Sequence, residues 1–173
     1  MKIRSLINYI LFFLILIYSN SKAETIFFDS KNIKIEENGN MIFATKGKAQ
    51  IPSNNLIIEG DKFIYNKKIS ELIVIDDVKY FDSENKIYIE SDKIIYNEID
   101  NTIFSKSQTF IISDDTYKIN SSDVLLDRNI NKVLSNKLTT ITDKNKNKFV
   151  LNKGLIFELA NEIISSKEIV VTD

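Results

Sequence analysis

Histidine and cysteine are absent from all 173 residues, which removes the usual general base, the thiolate nucleophile and most transition-metal ligands. Any catalysis would have to run on carboxylates, hydroxyls or lysine. Two pairs of adjacent aspartates, Asp76-Asp77 and Asp114-Asp115, stand out. Such pairs can hold calcium or divide general-acid from general-base work, but neither has a glycine-containing loop around it, and paired acids between strands are ordinarily solvated turn residues. Asp61-Lys62 recurs as Asp92-Lys93, whereas the matching positions elsewhere read Lys31-Asn32, Ser122-Asp123 and Lys153-Gly154. A catalytic pair has no need of a second copy, so these are expected to be solvated positions beside a bend. A phosphate-cradling glycine loop and a Ser-His-acid set are both missing. The chemistry-bearing residues therefore point to a protein that is not an enzyme and uses neither cofactor nor metal.

The recurrence itself carries more than the acids do. "GDKFIYNKK" at 60–68 returns as "SDKIIYNEI" at 91–99, and the frame extends both ways at shifts of 30 or 31 residues to give five copies. A fixed period of this length marks a repeated supersecondary unit. One column holds Phe28, Ile58, Ile89, Ile119 and Val150, and a second, five residues on, holds Ile33, Phe63, Ile94, Val124 and Leu155. Ile35, Tyr65, Tyr96, Leu126 and Phe157 form a third, and Ile42, Leu72, Ile103, Val133 and Ile164 a fourth. Polar residues separate the last two, starting at Glu36, Asn66, Asn97, Asp127 and Glu158, where the chain is expected to turn. With Ile, Val, Tyr, Phe and Thr crowding both arms, each copy is expected to be a β-hairpin. The spacing of five between the first two columns breaks the strand period of two. A bulge near Gly60, Ser91 and Ser121 would repair it and would bend every hairpin at the same place. Residues 154–163, which could be drawn as a turn or two of helix, are taken as strand, turn and strand.

The N-terminus differs in kind. Lys2 and Arg4 precede the apolar run Leu6 to Tyr18, and Ser21-Lys22-Ala23 supplies small residues for a peptidase, the pattern of a secretory signal cleaved after Ala23. An uncleaved membrane anchor is the alternative, although the run is shorter than the roughly 20 residues a span needs. Cleavage removes three basic residues and no acid, leaving 20 basic against 24 acidic, a formal charge of −4. No nucleic-acid surface is implied. Without cysteine, an exported chain must be held by its core and its ladder alone.

These copies, "IIEGDKFIYNKKISELIVIDDVKYF" and "IYIESDKIIYNEIDNTIFSKS" above all, resemble the OstA-like (organic-solvent-tolerance-like) domain of the lipopolysaccharide transport system. That family includes the periplasmic bridge protein LptA and the N-terminal periplasmic part of the outer-membrane assembly protein LptD. The signature is an apolar residue, a small residue with Asp, then an apolar residue and Tyr two apart, a turn and a return strand. Here it falls on Ile58, Gly60-Asp61, Phe63, Tyr65 and Leu72, and again on Ile89, Ser91-Asp92, Ile94, Tyr96 and Ile103. The sequence departs from it at Asp77 and Ser107, where the family's return strands commonly carry Gly.

The resemblance covers residues 24–173 and implies an all-β, twisted β-jelly roll of five hairpin repeats, open at both edges. It further implies a periplasmic location and an apolar groove that shields the acyl chains of lipopolysaccharide on the way to the outer membrane. Phe28, Ile58 and Ile89, then Phe63, Ile94 and Val124, then Tyr65, Tyr96 and Leu126 would line that groove. The strands near Ile26 to Ile35 and Ile163 to Val171 would join other transport proteins edge to edge. A charge at Phe63 or Tyr96 is then expected to abolish lipid capture and spare the fold. The alternative is an exported structural or adhesive β-repeat protein with a closed core. A conduit keeps its lining accessible, whereas a structural repeat buries it.

Overall fold

A computed structural model describes residues 26–172; the expected signal, residues 1–23, lies outside the described residues. The chain is all-β, and its fifteen described strands form one antiparallel sheet curled into a half-barrel. Five long strands come first: β1 (Phe27–Glu36), β2 (Met41–Ile51), β3 (Leu56–Asn66), β4 (Glu71–Asp82) and β5 (Ile87–Asn97). Beyond them the strands are interrupted half-way. They run β6 (Thr102–Ser105), β7 (Thr109–Ser113), β8 (Tyr117–Ser121), β9 (Val124–Asp127) and β10 (Lys132–Ser135). The last are β11 (Thr139–Asp143), β12 (Lys148–Leu151), β13 (Leu155–Glu158), β14 (Ile163–Ser165) and β15 (Ile169–Thr172). The stretch 154–163 is thus strand, turn and strand.

Pairing explains the interruptions. The C-terminal half of β5 bonds to β6 and its N-terminal half to β7. From there one wing runs β6-β9-β10-β13-β14 and the other β7-β8-β11-β12-β15. The long strands belong to both wings. The wings face each other, because side chains from opposite wings touch: Phe28 meets Phe63 edge-on at 6.1 Å, and Tyr117 of β8 meets Phe157 of β13 at 5.5 Å. Between them lies one core dominated by Ile, Leu, Val, Phe and Tyr, each fully buried member contributing about 1.5–3 kcal/mol.

The corners where strands break are built from hydroxyls. Ser91 and Ser105 share a hydrogen bond of 2.7 Å, and Thr109 donates to Ser105 at 2.8 Å. Next along the sheet, Ser121 donates to Ser135 at 2.9 Å and shares a bond of 2.7 Å with Thr139. These small side chains let the backbone bend tightly while keeping each other's polar atoms satisfied away from water.

Strands end at Glu36, Asn66, Asn97, Asp127 and Glu158, all five positions marked as turn starts. Asn66, Asn97 and Asp127 each accept a backbone N–H two or three residues on, at 2.9–3.0 Å. Ser70, Asn101, Asn131 and Glu162 then close their turns with left-handed backbone. Asn is among the residues that tolerate this region best, and a chain with four glycines must use such substitutes. Successive turns stack, with Glu98 N–H on Ser70 O and Leu159 N–H on Asn131 O.

One expectation needs correction. The bulge lies on the return strand: between Ile75 and Val78, Asp76-Asp77 stand opposite the single residue Asp92, both aspartates with positive φ. β2 and β3 change face together, Ala49 opposite Ile58 and Ala44 opposite Phe63, so β4 alone must absorb the extra residue. Asp77, standing where the resembled family has Gly, thus adopts a glycine-like φ of 49°. In the last copy Leu151, one place after the column residue Val150, is the buried one, because Leu151 and Phe149 share a face with Thr139 and Ile141 in the ladder. In the first copy Ile33 and Ile35 are exposed, since among the described residues β1 pairs with β2 alone.

Candidate binding interior

All nine residues expected to line a groove are brought to one interior, on faces that look at each other across the half-barrel. Ile58, Phe63, Tyr65, Ile89, Ile94, Tyr96, Val124 and Leu126 are no more than 6% exposed. Phe28 is half-buried against Phe63 and Tyr65. These residues are therefore gathered in one closed core, and Phe63 and Tyr96 are positions at which a charge would be buried unpaired. The expectation that such a charge spares the fold fails on that ground.

The interior reaches the surface at β1. Ile33 and Ile35 pair with Ala44 and Ile42, which fixes them on the interior face, yet they are 49% and 62% exposed. The apolar row continues past the last neighbour into solvent. At the other end, among the described residues, β14 and β15 each have one partner strand, β13 and β12, and expose Ile163, Ile169 and Val170. Among the described residues, the segments expected to join edge to edge are the margins of the sheet.

The mouth of the half-barrel is bridged by Arg128. This residue follows β9, whose last residue Asp127 lines up through Thr102 and Asn97 with Glu71, the start of β4. Asp82 is the other end of β4, about 36 Å away along a straight strand at 3.3 Å per residue. Arg128 Nε nevertheless donates to Asp82 Oδ2 at 2.8 Å. Nη2 donates to the Asn54 carbonyl at 3.0 Å and to Glu84 at 3.4 Å, and Nη1 to Asn101 at 2.9 Å. Asn54 in turn donates to the Tyr96 hydroxyl at 3.0 Å, and the Tyr80 hydroxyl donates to Asp82 at 3.1 Å.

The Arg128 and Asp82 side chains are 4% and 0% exposed. Burial pushes the Asp82 carboxyl up, but hydrogen bonds from Arg128 and Asn85 outweigh it and hold the group below the usual carboxylate range. Burial together with the Asp82 charge raises the Tyr80 hydroxyl well above the ordinary tyrosine value. Sequence reasoning missed this cluster, although one signal was available: Arg128 is the only arginine after Arg4 in a lysine-rich chain. Arginine supplies the several fixed donors such a buried junction uses.

The adjacent aspartates turn out to be backbone devices. Asp76-Asp77 form the bulge, and Asp76 accepts an ion pair from Lys62 at 2.7 Å. Asp114-Asp115 make the β7–β8 turn with positive φ, Asp114 pairing with Lys86 at 2.9 Å. Among the described residues no group of three or more acids could hold a metal. A hollow of about 840 Å³ lies on the outer face, floored by Phe104, Leu125, Leu134 and Ile156 and rimmed by Lys137, Lys153 and Lys167. Asp123 and Glu168 pair with Lys137 and Lys153 at 3.2 and 3.1 Å, so its positive charge is largely offset. The chain matches no protein-family model and no curated protein.

Proposed function

We propose that this chain is an exported, non-enzymatic carrier that shelters the acyl chains of lipopolysaccharide within the half-barrel and passes the lipid toward the outer membrane. In this proposal the half-barrel is a jelly roll of five hairpin repeats, and it docks to other transport proteins in the periplasm through β1 and β14–β15. The observation that carries it is the interior row surfacing at β1, where Ile33 and Ile35 are 49% and 62% exposed. A sheet meant to finish there would turn polar on that face; an apolar row left open fits a partner or ligand that continues it.

The second function considered, a structural or adhesive β-repeat, is favoured by the closure of the lining. One experiment separates them. A photo-crosslinking amino acid is placed at Ile35, at Phe63 and at the outward Lys67, and the folded protein is illuminated with lipopolysaccharide. Adducts at Ile35 and Phe63 but not Lys67 support the carrier. Folded protein without adducts at any position supports the structural repeat.

A further inference from the structure

Eight further ion pairs among the described residues join side chains at least 31% exposed, and such pairs contribute little. The Arg128–Asp82 pair differs in burial and in place. It ties the end of β9 to the end of β4, on opposite rims of the mouth, and Asn54 and Tyr80 extend it to the lining through Tyr96 and Asp82.

We propose that the Arg128–Asp82–Asn54–Asn101 junction is a latch, and that the interior is reached by opening the rims there. The chemistry of the junction suits opening better than permanent closure. Desolvating two charges costs nearly what their attraction returns, so well-packed apolar residues would shut the same rims at least as firmly. When the rims part, the guanidinium, the carboxylate and the amides recover hydrogen bonds from water, whereas a parted apolar seam recovers nothing. The junction therefore holds the mouth shut at a smaller cost of release than the core on either side of it. The apolar contacts between wings, Phe28 against Phe63 and Tyr117 against Phe157, are the part of the closure that stays.

The latch gains its purpose from the carrier proposed above, but it is tested without lipid. The chain lacks cysteine, so Val124→Cys, buried at 2% exposure, places a single reporter thiol in the interior. Maleimide labelling is followed in that background, in Arg128→Lys, and in the double change Arg128→Met with Asp82→Asn, which removes both charges together. Labelling should be at least about tenfold faster in the double variant, where Met and Asn restore neither the hydrogen bonds from Arg128 to Asn54 and Asn101 nor a packed apolar seam, and intermediate in Arg128→Lys, which keeps a cation on Asp82 and guards against loss of the fold.

Ile141→Ala, a core truncation in β11, serves as a control for general destabilisation. Labelling unchanged from the Val124→Cys background in Arg128→Lys and in the double variant, or accelerated equally by Ile141→Ala at matched stability, overturns the latch. Lipopolysaccharide crosslinking from Phe63 is then measured in the double variant. Faster thiol labelling without lipid adducts leaves the latch standing and removes the carrier.

Discussion

Replacing Arg128 by Met should cost about 3 kcal/mol of folding stability at pH 7. Removing one partner of a buried ion pair typically costs about 3–5 kcal/mol, because the other charge is stranded. Asp82 would keep four donors, the backbone N–H groups of Glu84 and Asn85, the Asn85 amide and the Tyr80 hydroxyl, at 2.9–3.1 Å. That places the cost at the lower end. The pH dependence identifies the cause.

In the native protein the Asp82 value is depressed. Its contribution is therefore present above the unfolded value of about 3.9 and lost as pH falls through the folded value. Without the guanidinium the folded value rises, so Asp82 takes up a proton more readily and the penalty shrinks in acid, to under about 2 kcal/mol at pH 3.5. Urea unfolding followed by far-ultraviolet circular dichroism at both pH values measures this, the chain having no tryptophan. A cost below about 1 kcal/mol at pH 7 with an unchanged urea slope would mean that the rims are held by something else. An equal cost at both pH values would assign the loss to packing of the side-chain stem.

Gly47→Ala should detach β1, because a Cβ there would stand 2.1 Å from the Asp29 carbonyl oxygen; amide exchange should accelerate in β1 before the rest of the sheet responds. Ser121→Ala should cost about 1–2 kcal/mol in chemical denaturation, since Ser135 and Thr139 each lose a buried partner but keep a backbone carbonyl at 2.7 and 3.2 Å. Ile35→Glu should change stability by less than about 0.5 kcal/mol while weakening any self-association seen by sedimentation. Phe63→Glu, at 1% exposure, should abolish cooperative unfolding, and a folded Phe63→Glu protein would overturn the placement of that ring in the core.

Much of this architecture is written in local pattern. Alternating apolar residues and an Asn, Asp or Glu at each strand end are short-range signals, so the strand ends at Asn66, Asn97 and Asp127 and the inward columns at Phe63, Tyr65, Ile94 and Tyr96 were legible from spacing alone. The bend was legible as a break in period, but not which strand would absorb it. That depends on register with neighbours: β2 and β3 shift together, leaving Asp76-Asp77 to supply the extra residue. Val150 and Leu151 differ by one place, and only the ladder against β11 chooses between their faces. Whether a lining is open or shut depends on how the two wings meet, which no column of residues encodes. Closure of the mouth rests on Arg128 and Asp82, 46 residues apart in sequence, joined because the curled sheet carries opposite strand ends to the same place.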